Sequence, residues 1–450
     1  MRPWFFKRAR RLAALAAGVL LLGTGPARPA ALPAVSLLDL IDVEFGHTTI
    51  VDNYDQPVSL QRLLDGARTG IVAYLVERGI DDPQVGMMHA RSDGRGAVPA
   101  IEQQIGRAIE RYGARVVPRD LVYAAIRGEL AALHDPYSVF FTAPEVKSFS
   151  AAIDGSAFGG VGIALAFDDA TKTWRADTVF AGSPAARAGV QAGDVLAAVD
   201  GVPVETVPTA GIAPLLRGKI GTVVQLTIVR DGTPLAAPLA VTRAAITPPD
   251  VIAHELDGHI GYVALRSFPL DAATQLADAM HRLAARGARA YVLDLRGNGG
   301  GYESAAAQVA SLFIPSGPVV TNEARGGKRT VTMADGRALP PAPLVVLVDG
   351  NSASGAELVA AAIQDRHLGQ LVGTRTFGKG LVQTMFPLPD GSAIKLTTAR
   401  YFTAGGRYID RIGVLPNVVV TQPSDARTGV PGADPQLDRA LGLLTAGGVT

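Results

Sequence analysis

The sequence predicts an α/β protein of several domains: a helix-rich N-terminal region, a β-rich middle segment and a core of alternating strands and helices. Three observations lead there. A chain of 450 residues exceeds the usual size of one domain. Its apolar periodicity is helical up to about Phe149, two-residue from about Ala151, and alternating between the two from about Ile246. The 51 glycines and 30 prolines cut the chain into short elements joined by many loops. No internal repeat is visible.

Residues 1–30 read as an export signal. A basic stretch from Met1 to Arg11 precedes an apolar run, Leu12 to Thr24, that falls short of the roughly 20 residues of a bilayer-spanning helix. Cleavage after Ala27 or a later alanine fits the small residues there. Retention as an inner-membrane anchor is the other reading, because the small-x-small pattern is imperfect and Arg28 follows it. With no cysteine, the chain has no disulfide, no lipid-modified cysteine and no thiol nucleophile. The expected location is the periplasm or cell envelope. The formal charge of +1, from 42 basic and 41 acidic residues, offers no field for nucleic acid.

The next region, 31–150, is expected to be helical. Leu60 to Glu77 and Leu121 to His134 place apolar residues at helical spacing, the latter ended by Asp135-Pro136, and Ile101 to Tyr112 mixes charges with Ile and Ala. Arg91 to Ala97 reads as a loop. These helices carry no catalytic constellation and read as a packing or dimerisation region. Residues 151–243 turn to short strands at Val161–Phe167, Trp174–Phe180, Asp194–Asp200 and Val223–Val229, with short helices near Pro184–Ala188 and Ala210–Leu216. In Phe158-Gly-Gly-Val-Gly-Ile163 the glycines let consecutive backbone N–H groups converge on an anion, and the strand that follows offers an edge to which a peptide can add.

Residues 244–422 form the predicted core. Gly261–Phe268, Ala290–Leu295 and Leu344–Val348 are strand-like runs separated by helices near Ala272–Arg286 and Glu303–Phe313. Residues 423–450 read as a tail with a helix. Within the core, Pro343 to Gly350 is a buried-strand pattern, and Asn351-Ser-Ala-Ser354 is the turn into a helix over Gly355–Asp365. A hydroxyl at Ser354 therefore lies at a helix N-terminus, where free N–H groups favour developing negative charge. Lys379 follows 25 residues later in the apolar, glycine-flanked turn Thr376-Phe-Gly-Lys-Gly-Leu-Val-Gln383. An amine in such surroundings is pushed toward neutrality and can take the hydroxyl's proton. The plain alternative is a helix-capping serine and a surface lysine.

Asn351-Ser-Ala-Ser-Gly-Ala-Glu357 and Thr376 to Gln383 resemble the serine and lysine motifs of the carboxyl-terminal processing peptidases, also called tail-specific proteases. Leu133-His-Asp-Pro-Tyr-Ser-Val139, Asp294-Leu-Arg-Gly-Asn-Gly-Gly-Gly301, Lys395-Leu-Thr-Thr-Ala-Arg-Tyr401 and Gly413-Val-Leu-Pro-Asn-Val-Val-Val420 resemble further blocks in the family's order, so the resemblance runs from roughly residue 120 to 445. It implies a crotonase-like α/β core, Ser354 as nucleophile, Lys379 as base and Gln383 as the third member. It also implies an oxyanion hole from the amides of Gly355 and of Gly300 or Gly301. Two-residue spacing is expected to put 379, 381 and 383 on one strand face, so that the Gln383 amide orients the lysine. Gly355-Ala356 and Ala404-Gly405-Gly406 depart from the usual family pattern. Residues 151–243 resemble a PDZ domain, with Phe158, Gly159, Gly160, Val161, Gly162 and Ile163 as its carboxylate-binding loop. The partners implied are proteins or peptides with apolar free C-termini; family members also form homo-oligomers and use adaptor proteins.

Rival motifs fail on chemistry. Gly373 to Gly380 approaches a P-loop, but Gly380 replaces the hydroxyl that holds Mg²⁺ and a strand pattern follows. His254 and His259 are five apart rather than the four of a zinc-protease helix, and Gly297 to Tyr302 lacks the third glycine of a dinucleotide fingerprint. No cofactor and no metal are expected. His367, at the far end of an intervening helix, lies roughly 20 Å from Ser354 at about 1.5 Å per residue. Asp365 reads as structural for the same reason, and Ser352, unlike Ser354, does not abut the helix. The expected activity is that of an exported serine endopeptidase. A silent protease core carrying a peptide-binding PDZ domain is the alternative, and a crotonase-like acyl-transfer enzyme a more distant one.

Overall fold

The computed structural model describes residues 36–89, 96–153, 157–168, 171–180, 182–207, 211–423 and 426–446; residues 1–30, the expected export signal, lie outside them. Among the described residues no helix is long and apolar enough to cross a membrane.

The N-terminal region contains α1 (Leu37–Asn53), α2 (Leu60–Glu77), α3 (Ala97–Tyr112) and α4 (Pro118–Ala131). Ser36 and Ser59 cap the first two by accepting from Asp39 N–H and Arg62 N–H. Gly96 sits at the start of α3 with positive φ, and Pro118 occupies the first position of α4. The apolar faces of these helices meet around Leu63, Ile71, Ile105 and Ile126. That cluster continues into Phe140 and into Leu388, Ile394 and Leu396 of the C-terminal half, so the helical region is packed onto the rest of the chain.

The chain then forms β1 (Val139–Phe141) and α5 (Ala143–Ile153) before entering a second sheet region. There β2 (Phe158–Gly160), β3 (Ile163–Asp168), β4 (Thr173–Val179), β5 (Val195–Val199), β6 (Val202–Pro203), β7 (Val223–Arg230), β8 (Thr233–Pro234), β9 (Leu239–Thr242) and β10 (Ala244–Ile246) surround the short helices α6 (Pro184–Arg187) and α7 (Ile212–Leu216). Seven of these strands make one sheet, ordered β3-β4-β5-β7-β8 with β6 on β5 and β9 on β7, which leaves β3 at an edge. The strand expected over 161–167 begins two residues later, as β3 from Ile163, and a separate short strand, β2, precedes it. Gly162, at φ +83, lies between the two, and β2 pairs with β10.

The core is built on β11 (Val251–Leu256), β12 (Ile260–Leu265), β13 (Ala290–Asp294), β16 (Leu344–Val348), β17 (Gln370–Gly373) and β20 (Val418–Val419), in that order, parallel except for β11. Every residue of β12, β13 and β16 is buried, as a sheet covered on both faces requires. One face carries α8 (Ala272–Ala285), α9 (Glu303–Ser311) and α10 (Gly355–Asp365); the other carries α11 (Pro435–Ala446) through Leu437, Ala440 and Leu444. Antiparallel strands β14 (Pro318–Ala324), β15 (Lys328–Met333), β18 (Leu381–Pro387) and β19 (Ala393–Phe402) form, with β1, a separate sheet beside it. His254 lies on β11 and His259 in the turn to β12, so that segment is a hairpin, not a zinc-binding helix.

Candidate active site

The loops after β12, β13 and β16 converge at the carboxyl edge of the parallel sheet, where open α/β sheets place their ligands. Side chains bind these loops together. The buried Asn298 donates through Nδ2 to Leu265 O (2.8 Å), and its carbonyl accepts from Ala353 N–H (2.9 Å). Asp349 Oδ1 accepts from the N–H groups of Gly297, Asn351 and Ser352. Ser352 is fully buried, its hydroxyl donating to Leu295 O (2.8 Å), so it is a structural tie between two loops.

Ser354 immediately precedes α10 and has φ 54°, a left-handed conformation costly for a residue with a Cβ. That turn lifts the side chain between strand and helix, as in nucleophile elbows generally. Packed against it, Gly300 is held at φ +100. A Cβ on Gly300 would lie 2.9 Å from Ser354 Cβ and 3.0 Å from Gly355 N, so only glycine fits against the serine. The Gly300 N–H is already occupied, donating to Asn298 Oδ1 (2.9 Å). Gly301 N–H and Gly355 N–H have no acceptor among the described residues. Of the two expected glycines, Gly301 is thus the one with a free donor.

Lys379 lies between Gly378 and Gly380, ahead of β18, in the same cavity of about 640 Å³ as Ser354, Gly300, Gly301, Gly355 and Gln383. Burial, and secondarily the Lys395 ammonium, hold its amine below the usual lysine range; Glu357 and Asp135 pull the other way. Its Nζ stands 5.0 Å over the Tyr137 ring. No hydrogen bond joins Lys379 Nζ to Ser354 Oγ among the described residues, so the two groups share a cavity without yet touching; such contacts commonly tighten only with substrate. Gln383 is also in the cavity, but its Nε2 donates to Thr397 Oγ1 (3.3 Å), not to the lysine. The expected one-face alignment of 379, 381 and 383 is interrupted, because β18 begins only at Leu381 and a register shift separates Val382 from Gln383.

One residue to which the sequence reading assigns no role organises the site. Glu357 is fully buried, and its carboxylate accepts from Ser354 N–H (2.9 Å), Lys379 N–H (2.8 Å), Gly378 N–H (2.7 Å) and Thr376 Oγ1 (2.6 Å). One carboxylate therefore fixes the backbone of the serine and of the lysine together. The signal was the Ser354-x-x-Glu357 spacing of a helix-capping box, with a buried acid as its last member. Asp365, by contrast, is engaged at the far end of α10 by Thr403 Oγ1, Gly405 N–H and Arg407, in the structural role expected of it. His367 follows that same end, roughly 17 Å of helix from Ser354.

The expected carboxylate loop also lines a cavity. Phe158, Gly160, Val161, Gly162 and Ile163 border about 200 Å³ together with Leu165, Trp174, Phe180 and the α7 residues Ile212 and Leu216. Gly159 is not in that lining; it packs against the Gly218 backbone, whose N–H it accepts. Val161 N–H and Gly162 N–H meet no acceptor among the described residues. Arg217 caps the opening with its guanidinium 4.4 Å from the Phe158 ring.

The sequence profile of peptidase family S41 matches residues 259–420, and that of the PDZ domain matches residues 176–230. The carboxyl-terminal-processing protease of Synechocystis sp. is 36% identical over 335 residues, which cover 73% of this chain and 78% of that one. The chain belongs to the carboxyl-terminal processing peptidases. CtpA of Bacillus subtilis, a carboxy-terminal processing protease, is 36% identical across 68% of this chain and 65% of its own. Among solved structures, the photosystem II D1 C-terminal processing protease aligns at 28% identity with a TM-score of 0.51, over 89% of this chain and all of that one. This chain is therefore a serine-type peptidase of the family, with an α/β multidomain architecture that includes a PDZ domain.

Proposed function

We propose that the chain is an exported endopeptidase in which neutral Lys379 activates Ser354, and in which the 151–243 module recruits substrates by their C-terminal tails. The observation carrying this reading is the Glu357 carboxylate that binds the backbone of both residues in one cavity. Substrate entry brings the Lys379 amine from the Tyr137 face to the hydroxyl. Ser354 Oγ then attacks the peptide carbonyl carbon while Nζ takes its proton. The oxyanion is received by the free N–H groups of Gly355 and Gly301, each such donor contributing about 2.7–4 kcal/mol by comparison with other acyl-transfer sites. Lys379 returns the proton to the departing amine, the C–N bond breaks, and a water deprotonated by the same lysine hydrolyses the acyl-serine. Gln383, held by Thr397, lies on the wall of this cavity and takes a positioning part.

The peptide-binding role rests on the exposed edge of β3, the free N–H groups of Val161 and Gly162, and an apolar cavity sized for one side chain. The test is turnover of an unstructured protein with an apolar C-terminus. Ser354→Ala and Lys379→Ala are expected to lose at least about 10³-fold in kcat, and His367→Ala to match wild type. Wild-type turnover by either of the first two variants would overturn the mechanism.

A further inference from the structure

A second lysine lines the same cavity. Lys395 lies on β19, where it faces Val139 of β1 on one side and Met385 of β18 on the other. Its Nζ is 5.1 Å from the Phe149 ring of α5 and 5.7 Å from the Phe141 ring of β1. The two rings stack on each other, with centroids 5.0 Å apart, and the ammonium lies against the pair, where ring contacts favour its charged form. Lys379 is the more buried of the two and has a single ring beneath it. The other charged or titratable groups around the pair are Glu357 of α10, Asp135 and Tyr137 ahead of β1, Tyr401 of β19, Glu303 of α9 and Arg266 after β12. Glu357 is saturated by four donors, and Asp135 accepts from Tyr137 N–H and Ser138 Oγ. Neither acid forms an ion pair with a lysine among the described residues.

We propose that Lys395 is a positioning residue of this site: its ammonium, seated against the stacked pair Phe141 and Phe149 in the cavity of Lys379, keeps the proton off Lys379. Two cations in one poorly solvated cavity repel, so the better-held one stays charged and the other becomes the base. Lys395 is itself drawn down by burial but supported by Asp135, and it lowers Lys379. The inference rests on the assignment of Lys379 as base.

The experiment is the pH profile of kcat/KM on an unstructured protein for wild type, Lys395→Met, Lys395→Gln and Lys395→Arg, with Lys379→Ala as control. Met preserves the packing against the two rings and removes the charge. Its acidic limb is expected to move to higher pH, with roughly a threefold or larger loss at a fixed pH on that limb and a wild-type plateau on the alkaline side. Gln moves it in the same sense, and Arg restores it. An unshifted limb in both Met and Gln, with Lys379→Ala inactive, overturns this inference and leaves the base assignment standing. An active Lys379→Ala overturns the base assignment itself.

Discussion

Replacing Glu357 by Gln puts an amide NH₂ where one of two carboxylate oxygens now accepts hydrogen bonds. Each oxygen serves two donors: Oε1 takes Thr376 Oγ1 and Gly378 N–H, and Oε2 takes Ser354 N–H and Lys379 N–H. The less costly orientation places NH₂ toward Thr376, whose hydroxyl can turn and accept. Gly378 N–H is then buried without an acceptor, at about 1–3 kcal/mol. The two bonds at the remaining oxygen lose their charge assistance, adding about 1–2 kcal/mol. The expected destabilisation is thus about 2–5 kcal/mol, read as a lowered urea midpoint. Because the same carboxylate sets the Ser354 and Lys379 backbones, kcat is expected to fall by about 10²-fold, the usual consequence of a displacement near 1 Å. Glu357→Gln with the wild-type midpoint and the wild-type kcat would refute the role of this carboxylate as the tie between the two segments.

Three further outcomes follow from other contacts. Asp42 of α1 is buried, neither carboxylate oxygen has a hydrogen-bond partner among the described residues, and burial first, then Asp390, pushes its pKa up to about 6. A raised carboxyl favours folding only while protonated, so stability falls as pH rises from the ordinary aspartate range through about 6. Asp42→Asn is then expected to be more stable than wild type at pH 7 by up to about 3 kcal/mol, with the gain vanishing below about pH 4 in denaturation curves. Ser352→Ala removes a buried tie to Leu295 O and is expected to cost about 1–3 kcal/mol of stability while retaining turnover, in contrast to Ser354→Ala. Amidating the C-terminus of a peptide substrate deletes the charge that Val161 N–H and Gly162 N–H are proposed to receive, and its KM is expected to rise by about tenfold with kcat little changed.

The parts of this fold that were legible in the sequence are those whose local chemistry and tertiary role agree. Gly355–Asp365 and Leu344–Val348 were read with their observed bounds, because an apolar run and a serine at the helix start leave few alternatives. Leu60–Glu77 was equally plain. The helices Leu37–Asn53 and Ala143–Ile153 were not singled out, since the first buries Asp39, Asp42 and His47 among its apolar residues and the second owes its place to contacts with β1 and Lys395. The hairpin β14–β15 carries a largely exposed second strand, Lys328–Met333, with little apolar alternation to announce it. At the site, Ser354, Lys379, Gly300, Gly301 and Gly355, each singled out by a local motif, line one cavity. Glu357 and Lys395 were missed as members because their roles depend on partners 16 or more residues away, on segments whose approach no local pattern specifies. The Gln383 contact went elsewhere because a bulge, invisible in a two-residue pattern, intervenes.

The most direct test of an uncharged lysine as the base is the acidic limb of kcat/KM against pH for the wild-type enzyme. Activity is expected to rise with the neutral fraction of Lys379 and to reach half its plateau well below the ordinary lysine value of about 10.4, because burial and Lys395 depress that amine. A limb centred at the ordinary lysine value, or one that persists unchanged in Lys379→Ala, would contradict it.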